Sequence, residues 1–472
     1  MKEEYNTERR RGLITVLSII AVLLIGVGIF FYYSFFRQTK SELIEAVPTD
    51  ALFLYEVNDN ASFSKDISPL LPYFNELFAL DALPAFETVH NALPANQYDI
   101  TISGHPIENG TVLLFNTHID KASFKRLLKA LTIDPANCET FEQQKIYTYG
   151  TNFKKLYFSF VNHILSVSTS MDLLKKSIIQ HRHPKNLLSA DDFKKLYDLA
   201  EKNKKQNWLF VNAAYVDGLC DYFTQETAAK IQAFKAMSPW AAFQIRFSNN
   251  EIMLSGYISS SAKILERFAG ITADSTIPEE YLPYHATQYY KLDLPDYDLC
   301  YFTMPQDTVH NPHFMLVRRD TLGHGYSPFI NDRQMEDLMA AYPNGVFPIT
   351  DSITLPQGSI FDTTQYKLFT IKGNHYLFAP SIEAFVLYNQ DIASNGNISG
   401  NRYYKLAKGN IASSNIMEFT YYNPTEKKSL RFKLSDKGKA SRFGQDLFIF
   451  SLSCNNIAEE FASVNIYLNF VK

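Results

Sequence analysis

The segment KLYFSFVNHILSVSTS at residues 155–170 combines two apolar strands, a turn and a helix start. Strand-forming residues stand on both sides of Asn162-His163, a pair typical of the tight turn between two antiparallel strands. Ser170 then takes the position of a helix N-cap before a short apolar helix. The stretch therefore predicts a β-hairpin that leads directly into a helix.

The same pattern returns at residues 366–381 as YKLFTIKGNHYLFAPS, with Asn374-His375 as the predicted turn and Ser381 as the predicted cap. Matches on both sides make this pair part of a longer internal repeat, in which residues 98–260 recur as residues 297–472 at a displacement of roughly 200 positions. We interpret the repeat as an internal duplication.

The remaining elements of the two copies also correspond. Each copy opens with a strand and continues with an amphipathic helix. In the first copy Asp120 is expected to cap this helix. In the second copy Asp332 precedes the apolar residues of the helix. Each copy closes with a predicted hairpin, whose turn is expected at Asn249-Asn250 in the first copy and at Asn455-Asn456 in the second.

These patterns predict an α+β fold with two similar lobes of antiparallel sheet. Most connections between strands within a copy are shorter than the dozen or so residues that a parallel crossover needs. Each helix carries one apolar stripe, so we expect the helices to cover one side of a sheet. The predicted lobes are residues 47–272, with a helical insertion at residues 60–95, and residues 284–472.

A run without charged residues, from Leu13 to Phe36, precedes both lobes. As a helix it is long enough to cross the roughly 30 Å hydrocarbon core of a bilayer. The aromatic cluster at residues 30–36 suits the far membrane interface better than a signal-peptide cleavage site. We therefore expect an uncleaved transmembrane helix at residues 13–36, followed by a linker at residues 37–46.

The basic residues that flank this run predict its orientation. Three clustered arginines at positions 9–11 precede the run, whereas Arg37 and Lys40 follow it. Because the more basic flank stays in the cytoplasm, the tail at residues 1–12 is expected to be cytoplasmic. The protein is thus expected to cross a membrane once, with its ectodomain outside the cytoplasm.

The composition excludes several classes of protein. Lys and Arg number 45 and Asp and Glu number 49, which gives a formal net charge of −4 at pH 7. A protein that binds phosphates of nucleic acid needs a basic surplus or a basic face, so we expect no nucleic-acid partner. With 37 Phe and 29 Tyr, the chain is also too aromatic for a disordered or low-complexity protein.

One acidic cluster, formed by Asp293, Asp296 and Asp298, is a candidate for chemistry. The last two would share one face of a strand, where they could bind calcium or supply the paired acids of a glycosidase. The alternative interpretation is an acidic turn around Pro295. No Walker loop, Gly-x-Ser-x-Gly or His-Glu-x-x-His motif occurs in the sequence, so we expect no cofactor and no assigned catalytic or metal-binding residue.

A resemblance to a known family rests on three local features. These are the segment Val47-Pro48-Thr49-Asp50-Ala51, the strand that follows it, and the strand-turn-strand-Ser-helix unit around His163. Together they resemble an uncharacterised family of membrane-anchored bacterial ectodomains, a domain of unknown function, over residues 47–472. The resemblance implies a bacterial, exported placement, in the plasma (inner) membrane with the ectodomain in the periplasm. It assigns no catalytic or binding residue.

The expected function is that of a non-catalytic binding or scaffold component of the bacterial cell envelope. The lipid bilayer is one expected partner, through residues 13–36, and envelope proteins or glycans are the others. Aromatic side chains outside the core suit such an interface. Two alternatives stay open: an envelope hydrolase that uses carboxylates such as Asp296 and Asp298, and a carrier that encloses apolar ligands between the two lobes.

Overall fold

The structure is a computed structural model. It describes residues 43–57, 89, 92–93, 99–107, 110–136, 138–151, 154–183, 185–201, 206–213, 239–248, 251–259, 279–294, 297–304, 312–318, 332–349, 364–410, 417–422, 447–458 and 461–470. These residues form an α+β fold in which antiparallel strands predominate, as the sequence predicted. No helix among them is both long and apolar enough to cross a membrane. The predicted anchor at residues 13–36 lies outside the described residues.

The strands, numbered along the chain, are β1 Phe53–Val57, β2 Ile100–Ile107, β3 Gly110–His118, β4 Cys138–Phe141, β5 Gln144–Thr151, β6 Lys154–Val161, β7 Ile164–Ser168, β8 Trp208–Asn212, β9 Trp240–Ser248, β10 Glu251–Ser259, β11 Gln288–Leu294, β12 Tyr297–Thr303, β13 His313–Arg318, β14 Val346–Pro348, β15 Leu368–Lys372, β16 His375–Ala379, β17 Met417–Tyr422, β18 Leu447–Ala458 and β19 Phe461–Phe470. The α-helices are α1 Lys121–Ala130, α2 Met171–Gln180, α3 Asp191–Glu201, α4 Asp332–Ala341, α5 Ile382–Asn395 and α6 Arg402–Asn410.

The chain divides into two compact units. Unit 1 takes the described residues within Met1–Ala51, Ala82–Glu108 and Val112–Ser189, and unit 2 takes those within Leu52–Asp81, Asn109–Thr111 and Ala190–Lys472. Unit 1 therefore contains α1 and α2, and unit 2 contains the later helices.

Antiparallel pairing in unit 1 places five strands side by side in the order β4–β5–β6–β7–β3. The predicted turn at Asn162-His163 is confirmed: it joins β6 to β7, and both residues have positive φ, 47° and 66°. Two successive residues with positive φ match the right-handed twist of a two-residue hairpin. Ser170 caps α2 by accepting a hydrogen bond from the Leu173 N–H, which confirms the predicted helix start.

Helices α1 and α2 pack on opposite faces of the unit 1 sheet, so the expectation that helices cover one side of a sheet was wrong there. Phe124 of α1 stacks on Phe160 with 4.8 Å between ring centroids. Leu173 and Leu174 of α2 pack instead with Val161, the next residue along the strand. Because neighbouring strand residues point to opposite faces, the two helices lie on opposite sides.

Unit 2 contains one continuous antiparallel sheet, in the order β1–β8–β9–β10–β19–β18–β17–β11–β12–β13–β16–β15–β14. Its segment β14–β15–β16–β13 repeats the order β5–β6–β7–β3 of unit 1. Within unit 2, the order β11–β17–β18–β19 likewise repeats β1–β8–β9–β10. Each strand in these later series therefore has neighbours that match those of its counterpart in the earlier series. We call the strands β1–β10 the first half of the chain and the strands β11–β19 the second half.

Strands β10 and β19, which correspond in this order, pair directly with each other. Ser255 lies opposite Asn465 near the middle of the pair. At one end the Tyr467 hydroxyl donates to the Glu251 carboxylate at 2.9 Å, and the Asn469 amide contacts the same oxygen at 3.2 Å. The last strand of the first half thus continues the sheet into the last strand of the second half.

Two turns predicted in the second half were wrong. The turn between β15 and β16 is Gly373-Asn374, and His375 is the first residue of β16, where it pairs with Lys372. Glycine adopts the positive φ of 54° here without steric cost, so the turn forms one residue earlier than predicted. Asn455 and Asn456 lie inside β18 and not in a turn. The predicted turn at Asn249-Asn250 lies outside the described residues, although the strands that flank it pair.

A cluster of buried aromatic and aliphatic residues holds α5 and α6 on one face of the part of the unit 2 sheet that contains β11, β12, β13 and β16. Phe302 and Phe314 stack with 5.0 Å between centroids, and the Tyr388 ring of α5 lies 5.8 Å from Phe314. The opposite face carries a second buried cluster, which includes Met315 and Phe378. Because both faces bear buried apolar residues, this part of the sheet is covered on both sides.

Candidate functional site

A serine, a histidine and an aspartate form a hydrogen-bonded series in unit 1. Ser103 and His105 are two residues apart on β2 and so share one face of the strand. The Ser103 hydroxyl lies 2.9 Å from His105 Nε2, and His105 Nδ1 lies 2.7 Å from the Asp50 carboxylate. This order of contacts is the one that activates the nucleophile in serine hydrolases.

The burial of this series decides what it can do. As whole residues, Ser103 is 0% exposed and His105 is 1% exposed. A substrate carbonyl has to approach a serine nucleophile to within about 3–3.5 Å, which a fully enclosed hydroxyl does not allow. In this structure the series therefore ties the Asp50 segment to β2.

Asp50 has a second partner on helix α2. The Lys176 ammonium lies 2.8 Å from the other carboxylate oxygen. The hydrogen bond from His105, followed by the one from Lys176, holds the pKa of Asp50 well below its usual 3.8 despite partial burial. From the next residue of α2, the Ser177 hydroxyl donates to the Ala46 carbonyl at 2.7 Å. The segment before β1 is thus fixed to α2 at two points.

The second half of the chain has a matching segment before β11. In unit 1 the Val47 N–H donates to Ile44 and the Ala51 N–H to Pro48; in unit 2 the Leu282 N–H donates to Glu279 and the Ala286 N–H to Pro283. The donors, acceptors and prolines thus have the same spacing in both segments. By this alignment His285 corresponds to Asp50.

His285 is held by a buried carboxylate on helix α5. The Asp391 carboxylate, 7% exposed, accepts from His285 Nδ1 at 2.5 Å and from the His285 backbone N–H at 2.9 Å. The Asn395 amide also donates to Asp391, at 2.8 Å. The imidazole itself is 44% exposed, and the Tyr284 ring packs edge-on against it at 5.0 Å. In unit 1 the segment thus carries an acidic residue, Asp50, bonded to a lysine of α2. In unit 2 the corresponding residue is a histidine, His285, bonded to an aspartate of α5.

The acidic cluster predicted from the sequence is described only in part. Asp293 of β11 and Asp298 of β12 lie opposite each other in the antiparallel register, next to the turn of the hairpin. Asp296 lies outside the described residues. Among the residues that the structure describes, no group of three or more His, Cys, Asp or Glu side chains is placed to hold a metal ion.

The two histidine–aspartate pairs were missed in the sequence, because each joins residues far apart in the chain. His105 and Asp50 are separated by 55 positions, and His285 and Asp391 by 106. A local signal did exist for the first pair, since serine and histidine at alternate positions of a strand must point to one face. For the second, the pattern Pro-x-[Asp/His]-Ala at positions 48–51 and 283–286 marked the corresponding segments.

Comparison with known proteins gives no assignment. No family model matches the sequence, and no curated protein matches it. A solved structure of TP0453 in crystal form I is 8% identical, covers 48% of this chain and 82% of that chain, and has a TM-score of 0.28. Crystal form III of TP0453 is 8% identical, covers 73% of this chain and 97% of that chain, and has a TM-score of 0.22. At these scores the similarity supports no statement about fold or function.

Proposed function

We propose that this protein is a non-catalytic binding or scaffold component of the bacterial cell envelope, with residues 13–36 as a single transmembrane anchor. The observation that carries the proposal is the use of Ser103, His105 and Asp50. These residues have the contacts of a hydrolytic triad, yet the serine is enclosed and the carboxylate is shared with Lys176. The groups that would react in a hydrolase thus hold one segment in place instead.

The proposal includes the duplication, with two similar lobes at residues 47–272 and 284–472. Its support is the matching segments before β1 and β11 and the matching strand neighbours in the two halves. The resemblance to membrane-anchored bacterial ectodomains supports the same placement. The flanking charges of the anchor favour a cytoplasmic N-terminus and a periplasmic ectodomain.

In-cell photo-crosslinking of the full chain tests the binding role. A photoreactive residue at Val386 of α5, which is 49% exposed, is expected to capture envelope proteins. The same residue at Phe385, one position along the helix and 1% exposed, serves as the buried control and is expected to capture none. Failure to capture any envelope protein or glycan at Val386 and at the other exposed apolar side chains would contradict the proposal. Those other side chains are Ile107, Ile179, Met339, Tyr342, Ile382 and Leu406.

The two alternative functions, hydrolase and carrier, make different predictions for the purified full-length protein. If the protein is an envelope hydrolase that uses the unit 1 series, purified full-length protein cleaves a glycan or peptide substrate and Ser103→Ala loses that cleavage. A hydrolase that uses Asp296 and Asp298 instead loses activity in the corresponding Asn variants. If the protein is a carrier, apolar molecules co-purify with it and appear in a solvent extract analysed by mass spectrometry.

A further inference from the structure

We propose that His285 is a nucleophilic imidazole that accepts acyl groups from activated carbonyl compounds, with Asp391 as its positioning residue. The inference concerns a modification site and does not depend on the scaffold role. It starts from a difference between His105 and His285, each of which has its Nδ1 against a carboxylate.

Asp391 fixes which ring nitrogen of His285 carries a hydrogen. Both oxygens of a carboxylate can only accept hydrogen bonds, so Nδ1 at 2.5 Å must be the donor. In the neutral ring the lone pair then belongs to Nε2. The second carboxylate oxygen accepts from the His285 backbone N–H at 2.9 Å, and Asn395 donates to the first. These contacts hold both the carboxylate and the ring in one orientation.

Among the residues that the structure describes, no hydrogen bond occupies Nε2 of His285, whereas one occupies Nε2 of His105. Within the described residues His285 Nε2 has no hydrogen-bond partner, and the side chain is 44% exposed. His105 also has its Nδ1 on a carboxylate, but its Nε2 is bonded to Ser103 and the side chain is 2% exposed. The same pairing is therefore enclosed in unit 1 and open in unit 2.

Histidine attacks carbonyl carbon through an unprotonated ring nitrogen, and the contact with Asp391 leaves Nε2 as the nitrogen that can do so. In the proposed step the Nε2 lone pair forms a bond to the carbonyl carbon of an activated acyl donor. The bond from that carbon to the leaving group breaks, and the leaving group departs with the electron pair. The Nδ1 hydrogen stays in its hydrogen bond to Asp391, whose carboxylate balances the positive charge of the acylated ring.

Diethyl pyrocarbonate tests the proposal, because it transfers an ethoxyformyl group to imidazole nitrogen and releases ethyl carbonate, which decomposes to ethanol and carbon dioxide. Full-length protein is treated with a limiting amount, and the modification of each histidine is followed over time by peptide mass spectrometry. His183 is the matched comparison, since it is exposed but its Nδ1 accepts from the Lys185 N–H at 3.4 Å. We expect His285 to react several-fold faster than His183.

The variant Asp391→Asn is expected to remove this excess, because an amide can donate to Nδ1 and so no longer holds the hydrogen there. The Cys300 thiol reports on folding around α5 in both proteins: it is 1% exposed in the same buried cluster as Phe385 and Tyr388, so its reaction with a thiol reagent indicates that this part of unit 2 has opened. Equal rates at His285 and His183 in the unmodified chain would overturn the proposal, and this comparison does not depend on whether Asp391→Asn folds. An unchanged His285 rate in a folded Asp391→Asn protein would overturn the role of Asp391.

Discussion

The hydroxyl of Tyr388 makes in the second half of the chain the contact that the hydroxyl of Ser177 makes in the first. Ser177 lies on α2, seven residues after its capping serine, and donates to the Ala46 carbonyl at 2.7 Å. Tyr388 lies on α5 at the same distance from its own capping serine, and donates to the Tyr281 carbonyl at 2.9 Å. Each acceptor stands two residues before the proline of its segment. Serine and tyrosine differ in length, yet each brings a hydroxyl to the same carbonyl.

Removing either hydroxyl is expected to destabilise the protein by about 1–3 kcal/mol, because a carbonyl loses its donor beside a buried side chain. The variants are Ser177→Ala and Tyr388→Phe, measured by urea unfolding of the full-length protein. Burial raises the pKa of Tyr388, so its hydroxyl keeps its hydrogen and donates at any ordinary pH. Tyr342→Phe is the matched control, since Tyr342 is 38% exposed and its loss should cost less than about 0.5 kcal/mol. Destabilisation by the control equal to that by Tyr388→Phe would contradict the assignment.

Local features of the fold were predictable from the sequence, because they depend on neighbouring residues. Ser170 and Ser381 cap helices as predicted, and the Asp120 carboxylate caps α1 by accepting from the Ser123 N–H at 2.7 Å. The turn at His375 failed because two adjacent pairs, Gly373-Asn374 and Asn374-His375, both suit a turn. The glycine decides in favour of the first pair, since it alone takes positive φ at no cost.

The candidate sites were not predictable, because they depend on contacts between distant segments. Nothing near Asp391 in the sequence indicates that its carboxylate will lie against His285. The positions of α1 and α2 on opposite faces were missed for a similar reason: the apolar stripe of a helix shows that it packs, but not on which side of a sheet. Only the strand register, which places Phe160 and Val161 on opposite faces, separates the two arrangements.

Strand β10 is expected to tolerate no side chain at Gly256. A Cβ built there would lie 1.8 Å from the Ala242 carbonyl oxygen and 2.8 Å from Phe243 Cα, both on the backbone of β9. Gly256→Ala therefore has to separate β9 from β10, and overpacking of this kind costs about 1–3 kcal/mol or more.

Gly409 of α6 provides the control for this substitution, since a Cβ there meets no atom within 4 Å. Gly409→Ala is expected to leave stability unchanged or to raise it by up to about 1 kcal/mol, because alanine is the better helix former. Thermal unfolding of both variants gives the comparison. Equal stability of the Gly256→Ala protein and the unsubstituted chain would show that β9 and β10 are not packed as closely as described.

Acid is expected to weaken the contact between Asp50 and its partners. His105 and Lys176 hold the pKa of Asp50 below its usual 3.8, so the ionised carboxylate is favoured in the folded state. Its stabilising contribution is present above about pH 4, the ordinary range of the group, and is lost as the pH falls toward the lower folded-state value.

Asp50→Asn should therefore lower the free energy of unfolding at pH 7, and its difference from the unsubstituted protein should shrink below pH 4. Lys176→Met, which removes one partner only, should show a smaller change of the same sign. A difference between Asp50→Asn and the unsubstituted protein that stays constant down to pH 2 would contradict this account.

His181, at the C-terminal end of α2, is expected to make the protein less stable as the pH falls from 7 to about 4. Its Nε2 is buried without a hydrogen-bond partner among the described residues, and burial lowers the pKa of the imidazole from 6.5 to about 4. Below pH 6.5 the unfolded chain therefore takes up a proton that the folded chain does not, so stability falls until the pH reaches the folded-state pKa and then levels off. Between pH 7 and pH 5 the loss should reach up to about 2 kcal/mol.

The variant His181→Leu is expected to lose this dependence on pH, because leucine fills the site without a titrating group. Urea unfolding at pH 7, 6 and 5 measures the slope, and the range lies above the one in which Asp50 acts. His183→Gln is the matched control two residues away, at an exposed position, and should keep the slope of the unsubstituted protein. If the pH dependence of stability persisted in His181→Leu and disappeared in His183→Gln, it would come from His183 and not from His181, which would contradict the assignment.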